Sequence, residues 1–368
     1  MNKLRVLYIT NIPAPYRVDF FNELSRYCDL TVIYENTAST ERNKDWTLKA
    51  SGDYKQLFLK GLTIGRNSKL CMGVLGHLSR GSYDKIVVGG YATPTASLAI
   101  TALRLRKIPF FLNADGGFIP EHESVLKRSI KRYLISAATW WLSTGDITDK
   151  YLISYGADAK KIFTYPFTSV RQADVLSTPI SKQEKLKIRE QKGLHCEVLF
   201  LAVGQFINRK GFYDFLKEWT SKERGNIGIA IIGGGEQEQK YKELARKSNN
   251  VWILPFLKKD DLAEYYSAAD GFAMPTNEDI WGLVVNEAMA MGLPVFSTDK
   301  CISAMSMKCE GVKIFPVGDN KKMISALEEF ATNDNYSAAE VLNKSSNYTI
   351  EKMTEKHIEI FERAQVKK

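Results

Sequence analysis

The sequence predicts an α/β protein of two doubly wound, Rossmann-like domains, and three observations carry that prediction. Apolar runs of strand length alternate with longer amphipathic segments, the alternation breaks across one polar stretch near the middle, and it then restarts. The chain's 368 residues suit two domains at roughly 150 residues each, every one large enough to bury its own core.

Taken in order, residues 4–10 (LRVLYIT) read as a buried strand. Residues 16–27 carry Val18, Phe21 and Leu24 at helical spacing, and residues 30–34 return as a strand. A strand at 85–88, a helix at 95–105, a strand at 109–113, a helix at 125–137 and strands at 139–143 and 161–165 follow. Parallel strands with crossover helices on both faces bury such runs. Residues 169–193 turn polar and charged around Pro179 and read as the interdomain connection. The rhythm resumes with strands at 197–203, 227–232, 251–254, 271–274 and 294–297, separated by helices at 212–220, 237–248, 260–268 and 282–291. After Gly318 and Asp319, amphipathic helices begin near Asn320, Ser337 and Thr349, the last with Ile350, Met353, His357, Ile360 and Phe361 on one face. The resulting division is 1–175, 176–345 and a C-terminal helix at 346–368, for which packing back on the first domain is one option.

Composition removes several classes of protein. Twenty-five glycines and eleven prolines leave no room for collagen-like or low-complexity character. Five scattered cysteines form no C-x-x-C pair and four histidines form no H-E-x-x-H, which argues against a disulfide framework and a metal site. The first apolar run is broken by Asn11 and Pro13, too early for a secretion signal, and no run reaches the roughly 18 apolar residues of a spanning helix. The expected location is therefore the cytoplasm. The formal charge of +9 points to an acidic partner: nucleotide phosphates, nucleic acid or an anionic membrane. One basic stretch has two readings. Lys127, Arg128, Lys131 and Arg132 interleave with Ile130, Leu134, Ile135, Trp140 and Trp141, either as a peripheral membrane contact or as a helix with one solvated basic face before a core strand.

The strongest chemical signal is MPTNEDIWGLVVNEAMAMGLPV at 274–295. A strand ends near Pro275, an acidic loop follows, and a helix starts around Gly282 and stops at Gly292 and Pro294. Asp279 precedes that helix, Gly282 admits a close neighbour to the backbone, and the unpaired first-turn N–H groups make an anion site suited to a diphosphate. Glu287, about one and a half turns in, can accept hydrogen bonds from vicinal hydroxyls such as those of a ribose.

These residues resemble the signature of the GT-B glycosyltransferases, specifically the large retaining family 4: an acid, seven residues, a Glu, then A-M-A-x-G-x-P-V. Asp279 to Glu287 and the following AMAMGLPV fit it, except that the family usually has Glu where Asp279 stands, with Glu278 one residue out of register. VGQFINRKGF at 203–212 is similar to the family's diphosphate loop, which carries a lysine before a glycine, here Lys210 before Gly211. The family's arginine after the strand glycine Gly204 is Gln205 here, and Arg209 is the compensating cation. IIGGGEQEQKYKEL at 231–244 and VWILPFLKKDDLAEYYSAAD at 251–270 match the next two units.

The resemblance implies GT-B architecture and a nucleotide diphosphate-sugar held in a cleft between the domains. Asp279 would orient the sugar and Arg209 and Lys210 would neutralise the diphosphate. Gly204, Gln205, Gly234, Trp281, Gly282, Leu283 and Glu287 would line the donor, with Phe256 and Leu257 at the base. The first domain matches less closely. It would take the acceptor through Asn11, Pro13 and Arg17, with Gly116 beside it, and Asp115 stands where relatives place a His or Asp near the anomeric carbon. The chain has no D-x-D pair, which the other common glycosyltransferase fold uses to hold a divalent ion, so no metal and no cofactor beyond the donor are expected.

The expected function is a retaining transfer to a glycan or lipid-linked acceptor of bacterial surface polysaccharide, with contact to anionic membrane as an option. Two alternatives have their own signatures. A nucleotide-sugar epimerase on the same fold would consume donor without acceptor. A nucleic-acid module would need aromatic platforms interleaved with basic residues along one groove, whereas the basic residues here are dispersed and no nucleic-acid partner is expected.

Overall fold

A computed structural model describes residues 3–37, 52–64, 68–333 and 336–365. The chain divides into two compact units, Met1–Ser169 with Thr349–Lys368, and Val170–Tyr348.

The first unit carries β1 (Leu4–Thr10), α1 (Pro15–Ser25), β2 (Cys28–Tyr34), β3 (Lys55–Phe58), β4 (Leu62–Thr63), β5 (Lys69–Leu70), β6 (Lys85–Gly89), α2 (Pro94–Leu105), β7 (Phe111–Asn113), α3 (Val125–Ile135), β8 (Trp140–Ser143), α4 (Asp146–Ser154) and β9 (Ile162–Thr164). Seven strands pair in the order β3-β2-β1-β6-β7-β8-β9, all parallel. β1 lies inside the sheet, between β2 and β6, and its last five residues are buried. Pro15 opens α1 at a position whose N–H has no helical partner. The final helix of the chain, α13 (Ile350–Arg363), packs against α1, burying Ile350, Met353, His357, Ile360 and Phe361.

The second unit runs α5 (Lys182–Lys192), β10 (Val198–Gln205), α6 (Phe212–Trp219), β11 (Ile227–Gly234), α7 (Glu238–Ala245), β12 (Val251–Leu254), α8 (Lys259–Ala268), β13 (Gly271–Met274), α9 (Leu283–Ala290), β14 (Val295–Thr298), α10 (Ile302–Ser306), β15 (Val312–Phe315), α11 (Asn320–Thr332) and α12 (Ala338–Ser345), with α13 (Ile350–Arg363) following in the first unit. Its sheet, ordered β12-β11-β10-β13-β14-β15, is also all parallel. Strand order reverses between β10 and β13, so the loops leaving those two strands diverge and open a crevice at the carboxyl edge.

The polar stretch read as a connection contains α5, which packs on α8. Its anchor is the buried Arg189. That guanidinium donates to the carbonyls of Ala268 at 2.7 Å and Glu197 at 2.6 Å and forms an ion pair with Asp270. Breaking so buried a pair costs about 3–5 kcal/mol. A charged helix thus joins the core with a buried arginine as its anchor and Ile188 half-buried beside it, which an apolar periodicity does not register. The short elements β3, β4, β5, α4, α10 and β15 also lie outside the sequence reading.

Candidate functional site

Two loops build the site of the second unit. The loop after β10 turns through Asn208, Arg209 and Lys210 to Gly211, whose φ of +68° caps α6 and whose absent Cβ would lie 1.9 Å from the Pro275 carbonyl oxygen. Only glycine allows that approach. It locks the loop onto the one after β13: Arg209 carbonyl accepts from Thr276 Oγ1 at 3.0 Å, from the Asn277 N–H at 2.9 Å and from the Glu278 N–H at 3.3 Å. The neighbouring loop after β14 holds the other side, where the Asp279 N–H donates to the Lys300 carbonyl at 2.7 Å.

Between these fixed backbones lies a buried ion pair, Lys210 Nζ with Asp279 Oδ2. Arg209 stands beside it with Nη1 at 4.0 Å from Asp279 Oδ1 and 2.7 Å from the Glu278 carbonyl, its side chain partly open to solvent. The register question posed by the acid loop is decided by burial. Asp279 faces inward to both cations and Glu278 faces outward.

Gly282 caps α9 at φ +91°, and a Cβ there would meet Cys301 Sγ at 2.8 Å. Ser303 Oγ donates to its carbonyl at 3.0 Å, which holds the first turn of α9 and leaves its N–H groups at the crevice edge with Leu283 half-buried. The Trp281 indole is buried, its Nε1 donating to Asn286 Oδ1 at 2.9 Å. It braces the loop from below, so the expected donor contact by that ring is replaced by a packing role. One and a half turns along, Glu287 Oε2 accepts from the buried Tyr266 hydroxyl at 3.1 Å. Burial and the adjacent Glu287 carboxylate hold the Tyr266 phenol well above its ordinary pKa, so it stays a donor.

Gly204 and Gln205 end β10 opposite Gly233 and Gly234 on β11, and a Cβ on Gly234 would meet open space. Phe256 is exposed after β12 and Leu257 is half-buried against the core. All the expected donor residues therefore lie at the carboxyl edge of one sheet.

The first unit has a second constellation. Arg17, buried on α1, pairs through Nη2 with both carboxylate oxygens of Asp115 just past β7. Asp115 also accepts from Asn113 Nδ2 at 2.6 Å and Tyr165 OH at 3.1 Å. Tyr8 OH accepts from Arg17 Nη1 at 3.3 Å, and the guanidinium lies 5.4–5.7 Å from the Tyr8, Tyr16 and Phe167 rings. Arg17 is thus neither solvated nor a surface contact for acceptor. It orients Asp115, which keeps a partly open edge beside Gly116. Asn11 is exposed after β1, while Pro13 is buried at the head of α1. His357 closes the cluster from α13, its ring 4.5 Å from Tyr165 and 4.7 Å from Phe20. Sequence spacing does not mark Tyr266, Tyr165 and His357, which act by meeting residues far off in sequence, whereas Asn113 meets Asp115 two positions on.

The family model described as Glycosyl transferases group 1 matches residues 197–333. An uncharacterized glycosyltransferase of Haemophilus influenzae is 34% identical over 100 residues, 26% of this chain and 28% of that protein. The lipopolysaccharide glucosyltransferase WaaG of Escherichia coli is 30% identical over 125 residues, 32% of this chain and 31% of that protein. The chain thus spans about a third of the length of these curated relatives. The crystal structure of Anabaena HepE in complex with UDP and glucose matches with a TM-score of 0.74 at 15% identity, covering 98% of this chain and 100% of that one, a likeness of fold.

Proposed function

We propose that this chain, whose residues 197–333 match the glycosyl transferases group 1 family model and whose fold is GT-B, is a retaining hexosyltransferase. It moves a sugar from a nucleotide diphosphate-sugar to a hydroxyl of a glycan or lipid-linked acceptor in bacterial surface polysaccharide synthesis, at the cytoplasmic face of an anionic membrane. The observation that carries this reading is the Lys210–Asp279 pair with Arg209 beside it, set against the first turn of α9 at the switch point of the second sheet.

In this reading the diphosphate lies against the α9 N-terminus, and Arg209 and Lys210 take its charge. Asp279 orients the sugar, Glu287 accepts from the ribose hydroxyls, and Phe256 offers a face to the base. Gly234, where a Cβ would meet open space, keeps the end of β11 low enough for close approach, with Gly204 and Gln205 beside it at the end of β10. The bond from the anomeric carbon to the diphosphate oxygen breaks, and the same carbon bonds the acceptor oxygen on the same face. The acceptor's proton passes to the departing phosphate oxygen. Charge developing on that phosphate meets cations already in place, so the scheme assigns no metal and no cofactor beyond the donor. In the first unit, Asp115 is aimed by Arg17, Asn113 and Tyr165 and is assigned a catalytic role. The UDP and glucose in the HepE structure support the donor class. The lipopolysaccharide substrate in the name of WaaG supports the acceptor class.

Thermal unfolding with a panel of nucleoside diphosphates and their sugars, in EDTA, tests the donor site. One diphosphate at about a hundred times its dissociation constant stabilises the wild type by about 2.7 kcal/mol, and Glu287→Ala loses most of that gain. Stabilisation unchanged in Glu287→Ala, or absent with every nucleotide, overturns the reading. Donor converted at full rate without any acceptor identifies an epimerase instead.

A further inference from the structure

The basic stretch on α3 has an exposure pattern that a core helix does not have. Only Leu134 and Ile135 of its eleven residues are buried. Val125 is 81% exposed, Leu126 72%, Ile130 52% and Tyr133 41%. At 100° per residue these four, with Ser129, fall in one sector of about 140°. Arg132 and Arg128 border that sector on one side and Lys127 on the other. The sector continues onto the end of α2, where Leu105 is 74% exposed and Arg104 donates to the Tyr133 carbonyl at 2.8 Å with its guanidinium 4.5 Å from the Tyr133 ring. Trp140 and Trp141, the other half of the sequence motif, are buried in β8 and take no part.

We propose that this face of α3, extended by Leu105, docks the protein on an anionic lipid surface. The proposal deepens the lipid-linked acceptor reading above by naming the surface that would meet the membrane. An apolar stripe of this width, bordered by cations, matches the layering of a bilayer interface, where acyl chains lie beneath anionic headgroups. A protein partner for so basic a rim would need matching acids at its own rim, whereas an anionic bilayer offers them at any orientation. Nearby acids do not cancel the charge. Glu123 is committed to Lys131 at 2.6 Å and to the Tyr155 hydroxyl at 2.6 Å, which leaves Glu121, before the helix, as the exposed acid adjoining the stripe. No helix among the described residues is long and apolar enough to cross a membrane, so the contact proposed is superficial.

The test is co-sedimentation of the full chain with phosphatidylcholine vesicles, with and without phosphatidylglycerol. The wild type is expected to sediment with the mixed vesicles, to bind neutral ones far less, and to be released by salt. Leu126→Ser with Ile130→Ser should weaken binding at least tenfold. Lys127→Ser with Arg132→Ser should weaken it about fivefold per cation removed, about 1 kcal/mol each. Melting temperature and nucleoside diphosphate stabilisation are measured on the same variants and should match the wild type. Binding that is equal on neutral vesicles, or unchanged in both variants, overturns the proposal. So does a wild-type dimer by light scattering that the apolar variant converts to monomer, since the face would then be a self-association surface. Loss of nucleotide stabilisation in the wild type would instead remove the donor reading and leave the vesicle result standing.

Discussion

Replacing Asp279 by Asn separates the buried ion pair that this carboxylate makes from the sugar-orienting role proposed for it. Asn keeps the shape and removes the charge, so Lys210 is left buried opposite a neutral amide. Breaking a buried pair in this way costs about 3–5 kcal/mol. A domain the size of the second unit loses roughly 2–4 °C of melting temperature per kcal/mol, so its transition should fall by roughly 6–20 °C. Nucleoside diphosphate should then stabilise the variant by more than the wild type, because the phosphates supply the anion that Lys210 and Arg209 lack. Each tenfold gain in affinity adds about 1.4 kcal/mol to the ligand-induced stabilisation at saturation. Sugar transfer should move the opposite way and fall about 10²–10³-fold as the orienting group is lost. Differential scanning fluorimetry with and without diphosphate, beside a transfer assay, reads all three. A variant with wild-type stability and an unchanged diphosphate shift would refute the claim that this pair is buried, charged and beside the phosphates.

Three further outcomes follow from the same geometry. Tyr266→Phe removes the hydroxyl 3.1 Å from Glu287 and should narrow the preference for a ribonucleoside over a 2′-deoxyribonucleoside diphosphate, measured by calorimetric titration, with an effect of about 1.5–3 kcal/mol or less. Burial pushes the His357 imidazole down to about 4, so the unfolded chain takes up a proton below pH 6.5 that the folded chain refuses until about pH 4. First-unit stability should therefore fall by up to about 3 kcal/mol across that window, and His357→Phe, placed among Phe20, Tyr165 and Phe361, should flatten the fall in denaturant titrations. Glu35 has the opposite sign: burial raises its carboxyl to about 7, with Thr93 donating to Oε1 at 2.6 Å, so its contribution is present below pH 4.5 and lost as pH rises through 7. Glu35→Gln should make the first unit less sensitive to pH between 4.5 and 8 in the same titrations.

The sequence by itself determined the longer core strands and the local pattern of the candidate donor loops. A parallel strand buried on both faces must be a continuous apolar run, so β1 and β13 stand at the residues where the runs stand. The residues proposed for the donor site were legible for a related reason. A diphosphate site on this fold is a strand end, a short loop and a helix start, all local in the chain, and 274–295 holds all three. Tertiary structure decided the rest, wherever the deciding partner is distant. Asp279 rather than Glu278 faces the cations because backbone pairing with Lys300 and Arg209 sets which side chain turns inward. Arg17 reads as an ordinary helix residue until β7 brings Asp115 to it from 98 positions away. On α3 the apolar spacing that usually marks a core face marks an exposed one, because periodicity records which residues share a face and not what lies opposite it. The register of side chains along one element is set by local geometry, but burial, pairing and charge neutralisation are properties of two elements, and only folding brings the second one into place.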